Sequence, residues 1–109
     1  MQKFCLALDL IDDPGLIEEY QVYHQNVWPE ILASIKSSGI LNLEIYRYQN
    51  RMFMIMETAD EFSFEKKSSM DAGNEKVQEW EELMWRYQKA LPGAKPGEKW
   101  MLMEKIFQL

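Results

Sequence analysis

At 109 residues the chain has the length of one domain, and nothing in its composition divides it, so residues 1–109 are read as a single unit. Hydrophobic residues make up 47% and charged residues 28%, the balance of a globular protein with a closed core. A net charge of −6, with twelve Lys and Arg scattered among eighteen Asp and Glu, leaves no basic stripe and excludes nucleic acid as a partner.

Residues 3–10 read as a first strand, bounded by the turn Asp12-Asp13-Pro14-Gly15. This apolar run is too short for a secretory signal, and no stretch approaches the roughly 18 apolar residues that span a bilayer. Cys5, the only cysteine, allows neither an intramolecular disulfide nor a thiolate metal framework, and it reads as a small core residue. A reduced, cytoplasmic protein without membrane contact is expected.

Asp12 or Asp13 is placed to cap a helix that Pro14 opens. From there Leu16, Tyr20, Tyr23, Val27, Ile31 and Ile35 step by three and four, the stripe of an amphipathic helix. Pro29 lacks an N–H and crowds the carbonyl of residue 25, so this helix should bend or loosen around Gln25. Ser37-Ser38-Gly39 ends it, with Gly39 as the left-handed residue. Residues 40–48 and 51–58 follow as two strands joined at Gln49-Asn50, the second nearly all apolar. Residues 61–70 and 74–90 read as helix, residues 92–97 as loop and residues 100–108 as a last strand.

The order β-α-β-β-α-β is that of the α+β ferredoxin-like fold, with helices on one face of a four-stranded antiparallel sheet. The other sheet face also carries apolar side chains and needs cover, which predicts a symmetric homodimer formed through the sheets.

The densest chemistry lies in Glu19-Tyr20-Gln21-Val22-Tyr23-His24-Gln25-Asn26-Val27-Trp28-Pro29-Glu30. Tyr20 and His24 are four apart and share one side of a helix, and Trp28 continues the line. His24 is the only histidine, and its ordinary pKa of about 6.5 suits proton transfer at neutral pH. A satisfied structural histidine and core aromatics fit the same residues. With no second histidine, a metal site is not expected.

The pattern Glu19-Tyr20-x-x-x-His24-x-x-x-Trp28-Pro29-Glu30 resembles the signature of the L-rhamnose mutarotase family. The likeness runs along the whole chain, through the Gly39 turn, the strand pair, the Trp-bearing second helix and the ending Glu104-x-x-Phe107-x-Leu109. It implies a dimeric ferredoxin-like enzyme, free of metal and organic cofactor, that interconverts the α and β anomers of a 6-deoxy-L-sugar, L-rhamnose first and L-fucose second. His24 would then be the proton donor to the ring oxygen, and Tyr20 would contact the sugar. Two positions depart from the family's pattern: Leu43 stands where a substrate-touching Tyr is common, and Trp80 and Trp85 are separated where the family has a Trp-Trp pair.

Opening a hemiacetal needs one proton delivered to the ring oxygen and one removed from the anomeric hydroxyl, both general acid–base steps. Trp28, Trp80 and Trp85 are the candidates for an apolar surface against the sugar's C–H face. Asp9 and Glu44 are candidate sugar contacts and second proton acceptors, either of which would have to face the helices. The same fold also serves cofactor-free monooxygenases, and a non-catalytic interaction module is a third reading.

Overall fold

The computed structural model describes all of Met1–Leu109. Strand β1 spans Gln2–Leu10. Helix α1, Pro14–Gln25, starts as expected: the Asp13 side chain accepts the Leu16 N–H at 3.0 Å and Pro14 opens the first turn. The expected single helix is instead two, because the chain leaves helical geometry at Asn26 and resumes in α2 at Pro29–Ser37. Pro29 causes the break. It pushes Trp28 to an extended conformation (φ −56°, ψ 135°) and becomes the first residue of the new helix. Gly39 then turns the chain at φ +97°, the left-handed conformation expected of it.

Strands β2 (Ile40–Tyr48) and β3 (Arg51–Thr58) form an antiparallel hairpin. Its Gln-Asn turn works although Gln49 adopts φ +52°, because Asn50 is tied to β1 from both sides. The Leu10 N–H donates to the Asn50 carbonyl at 2.6 Å, and Asn50 Nδ2 donates to the Leu10 carbonyl at 3.2 Å. Helix α3 covers Phe64–Ala72, a little later than expected, since Ser63 caps it by accepting the Lys66 N–H. Helix α4 covers Glu75–Trp85, capped by Asn74.

Two expectations fail at the C-terminal end. The helix read over 74–90 stops at Trp85, because Gln88–Lys89 form a short strand, β4, beside Leu10 and Asp9 of β1. The last strand shrinks from 100–108 to β5, Met101–Leu102, which pairs with Ala7 and Leu6. Past Met103, whose N–H reaches the Cys5 carbonyl, the chain has no strand to pair with, and Ile106, Phe107 and Leu109 stand almost fully exposed.

The sheet runs β2-β3-β1-β4, with β5 sharing the β1 edge with β4. This is a ferredoxin-like α+β fold, an open antiparallel sheet with four helices. Period-two alternation sorts its side chains. Leu6, Leu8 and Leu10 of β1 and Met52, Met54, Met56 and Thr58 of β3 are buried towards the helices. The opposite set, including Cys5, Ala7, Asp9, Phe53, Ile55, Glu44 and Tyr46, forms the open face. Cys5 is therefore only half-buried rather than in the core. On the covered side one core cluster joins Leu8, Leu10, Met52, Tyr20, Trp80 and Met84, so the sheet, α1 and α4 are packed as one body around the motif residues. Burying a side chain such as Leu8 contributes about 1.5–3 kcal/mol. No helix is long and apolar enough to cross a membrane.

Candidate active site

Tyr20 and His24 stand one turn apart on α1, their ring centroids 4.3 Å apart. Trp80 of α4 meets His24 edge-on at 5.7 Å. These three side chains, with Gln88, Glu81, Leu43 and Trp100, line an open cleft of ≈ 1130 Å³ between the helices and the covered side of the sheet. The volume is ample for a monosaccharide, and mostly apolar walls with a few polar groups are what such sites present. A second depression of ≈ 770 Å³ near Arg47 and Gln49 holds no aromatic residue and only one hydrophobic one, Ile17.

The tautomer of His24 follows from its surroundings. Its Nδ1 lies 2.8 Å from the Tyr20 carbonyl. A carbonyl only accepts, so Nδ1 carries the hydrogen and, in the neutral ring, Nε2 holds the free lone pair. Burial pushes the pKa of His24 down, and the bond to the Tyr20 carbonyl opposes that shift. The ring is thus held neutral at physiological pH, with one nitrogen available for proton exchange.

Tyr20 is buried, and its phenol accepts a hydrogen bond from Gln88 Nε2 at 3.2 Å. Its pKa is pushed up to about 12, chiefly by burial, with the Gln88 bond acting the other way and the charge of Glu81 adding to the rise. Tyr20 is therefore a hydroxyl donor at any physiological pH. Glu81 Oε2 is itself paired with Lys99 Nζ at 2.6 Å, and Lys99 also donates to the Glu81 carbonyl.

The structure brings Tyr20, His24 and Trp80 together, and it separates the other candidates from them. Trp28 packs edge-on against Trp80 at 5.1 Å and backs that ring rather than lining the cleft. Trp85 points elsewhere, with Lys99 Nζ 4.8 Å over its ring. Five residues along a helix rotate a side chain by about 140°, so Trp80 and Trp85 cannot share a face.

Asp9 and Glu44 do not face the helices. Asp9 pairs across the sheet with Arg51 and Glu44 with Ile55, all on the open face. The Asp9 carboxylate is taken by Arg51, through Nε at 2.7 Å and Nη2 at 3.0 Å. Glu44 accepts from the Tyr46 hydroxyl at 3.1 Å. Three cleft residues escaped the sequence reading. Glu81 is one of several acids along α4 with nothing in its spacing to single it out, and Trp100 falls at the start of the expected last strand. Gln88 carried no local signal, because its orientation comes from pairing with the distant Leu10.

Residues 3–109 match the family model described as L-rhamnose mutarotase. An L-fucose mutarotase of Xanthomonas campestris is 47% identical to the chain, over all of it and 89% of that protein. An L-rhamnose mutarotase of Shigella flexneri is 33% identical, over 77% of this chain and 75% of its own. Among solved structures, the L-rhamnose mutarotase of Formosa agariphila superposes with a TM-score of 0.73 at 20% identity, covering 100% of this chain and 99% of that one, and so speaks for the fold.

Proposed function

The chain belongs to the L-rhamnose mutarotase family and is an isomerase that interconverts sugar anomers, and from that premise we propose that its substrate is a 6-deoxy-L-sugar, L-fucose before L-rhamnose, with His24 as the proton-transfer group. The observation that carries the chemistry is the free Nε2 of a neutral His24 inside a cleft walled by Tyr20 and Trp80. The oxidative and non-catalytic readings of this fold are not favoured by relatives of this kind.

Ring opening moves one proton between two oxygens bonded to the same carbon. Neutral Nε2 takes the proton of the anomeric hydroxyl. The bond from the anomeric carbon to the ring oxygen then breaks, with its electron pair going to that oxygen. The imidazolium returns the proton there, leaving an open aldehyde. Rotation about the bond to the next carbon and the same steps in reverse give the other anomer. One histidine thus serves as base and then as acid, so neither Asp9 nor Glu44 is required. Tyr20, protonated throughout, donates a hydrogen bond to the sugar, and Trp80 offers the flat surface for its C–H face.

Preference for L-fucose over L-rhamnose, the reverse of the order expected from sequence, is supported by the fuller and closer match to the fucose relative. Both departures from the rhamnose pattern, Leu43 and the residue after Trp80, Glu81, belong to the cleft wall where sugar hydroxyls would be read.

The protein acts as a homodimer in the cytoplasm. Support for the dimer comes from the open face, where Phe53, Ile55, Cys5 and Ala7 have no helix over them, and from the exposed Ile106 and Phe107. The lone cysteine suits a reducing compartment.

Saturation transfer between α and β anomeric protons of each sugar tests the reading. The wild-type protein should accelerate exchange, and folded His24→Ala should lose about 10²–10⁴-fold. No acceleration with either sugar would refute the assignment.

A further inference from the structure

The cleft wall holds one buried polar atom that nothing in the protein satisfies. Gln88 is 7% exposed, and its Nε2 is engaged with the Tyr20 hydroxyl at 3.2 Å. Its Oε1 has no hydrogen-bond partner. Buried side-chain oxygens are nearly always paired, so an exception beside a reaction centre points to a donor that arrives with the ligand. The position is not accidental. Leu10 pairs with Gln88 and turns it to the covered side of the sheet, next to the Tyr20 ring, which itself lies 4.3 Å from His24. A sugar offers hydroxyl donors at several positions around its ring.

We propose that Gln88 is a specificity-determining residue: its Oε1 accepts a hydrogen bond from one hydroxyl of the bound sugar while its Nε2 holds Tyr20. The inference rests on the cleft being the sugar site, which the His24→Ala exchange experiment tests independently. A site built to bond a hydroxyl discriminates against the analogue that lacks it, because its own polar atom is then left unpaired. Which hydroxyl is bonded decides which stereoisomers are accepted, so Gln88 contributes to the choice between sugars that differ in the orientation of single hydroxyls.

The experiment is a cycle between protein and ligand. Wild-type and Gln88→Met proteins are compared on the preferred sugar and on its analogues deoxygenated at the second, third and fourth carbons, with KM and kcat read from anomer exchange. On one analogue the wild type should lose about tenfold in kcat/KM, mainly through KM. Gln88→Met, which also releases Tyr20, should lose about tenfold more on the parent sugar than on that analogue. Independent, multiplying losses for every analogue would overturn the proposal, as would full activity of Gln88→Met on the parent sugar.

A second measurement needs no variant. In wild-type protein, titration with the sugar should shift the side-chain amide carbon of Gln88 together with the His24 ring resonances. His24 moving while Gln88 stays still would overturn the inference and spare the site. Neither moving would remove both.

Discussion

Tyr20→Phe isolates one hydrogen bond in the wall of the site. The substitution keeps the ring, so packing at 4.3 Å against His24 and 6.1 Å against Tyr87 is retained and no cavity opens. What it removes is the acceptor of Gln88 Nε2, and since Gln88 Oε1 already lacks a partner, the whole amide is left unsatisfied in a residue 7% exposed. Stranding a buried donor in this way costs about 1–3 kcal/mol. For 109 residues the unfolding entropy is about 0.23 kcal/mol per kelvin, so the melting temperature should fall by about 4–13 °C. The assay is thermal unfolding followed by circular dichroism, without sugar and at one fixed protein concentration, because any self-association would make the midpoint concentration-dependent. A midpoint within about 1 °C of wild type would mean that the Tyr20–Gln88 bond contributes nothing, and the account of the cleft wall would fall with it.

Proton linkage at His24 has a definite sign. Its pKa is lowered from 6.5 on folding, so between those values the unfolded chain binds more protons, and the stability present above pH 6.5 is lost as pH falls through the folded pKa. The acid limb of kcat/KM should rise with pH through the same lowered value and be level at neutrality; a limb that instead falls above pH 7 would contradict a histidine acting from its neutral form. Asp9→Asn should leave kcat and KM within about twofold, because Asp9 and its partner Arg51 lie on the sheet face away from the cleft, and should cost about 1–3 kcal/mol in denaturant unfolding, since the Asp9 carboxylate is buried and takes two bonds from Arg51. A large drop in turnover would put Asp9 back among the proton acceptors. Ile55→Asp on the open face should convert a dimer into a monomer in sedimentation, and an unchanged mass would move the interface elsewhere.

Local rules carried most of the fold. Pro29 announced the interruption of the first helical stripe, Asp13 and Pro14 its start, and Gly39 its end. The helical spacing of Tyr20 and His24 was enough to place them side by side, and Trp80 entered through the stripe of α4. What failed was long-range. Nothing within 88–89 says that Leu10 will recruit it into the sheet, so the helical spacing runs on through Gln88 and hides its place in the cleft wall. The exposed tail failed for the same reason, since a strand pattern has no meaning until an edge exists to pair with. Asp9 and Glu44 are different. Each lies between residues of the opposite face, Leu8 and Leu10 or Leu43 and Ile45, so parity alone assigned them away from the helices; the nearly continuous apolar run of β1 masked it.

The brevity of β4 has its own consequence. Only two ladder pairs, Asp9 with Lys89 and Leu10 with Gln88, fasten this wall of the cleft to a sheet whose three long strands run eight or nine residues. Free energy of local opening scales with the contacts an element must give up, so this seam breathes far more often than the protein unfolds. The amide proposed to read a sugar hydroxyl therefore sits on one of the two shortest strands, where a guest can be admitted and let go while the hairpin behind it stays shut.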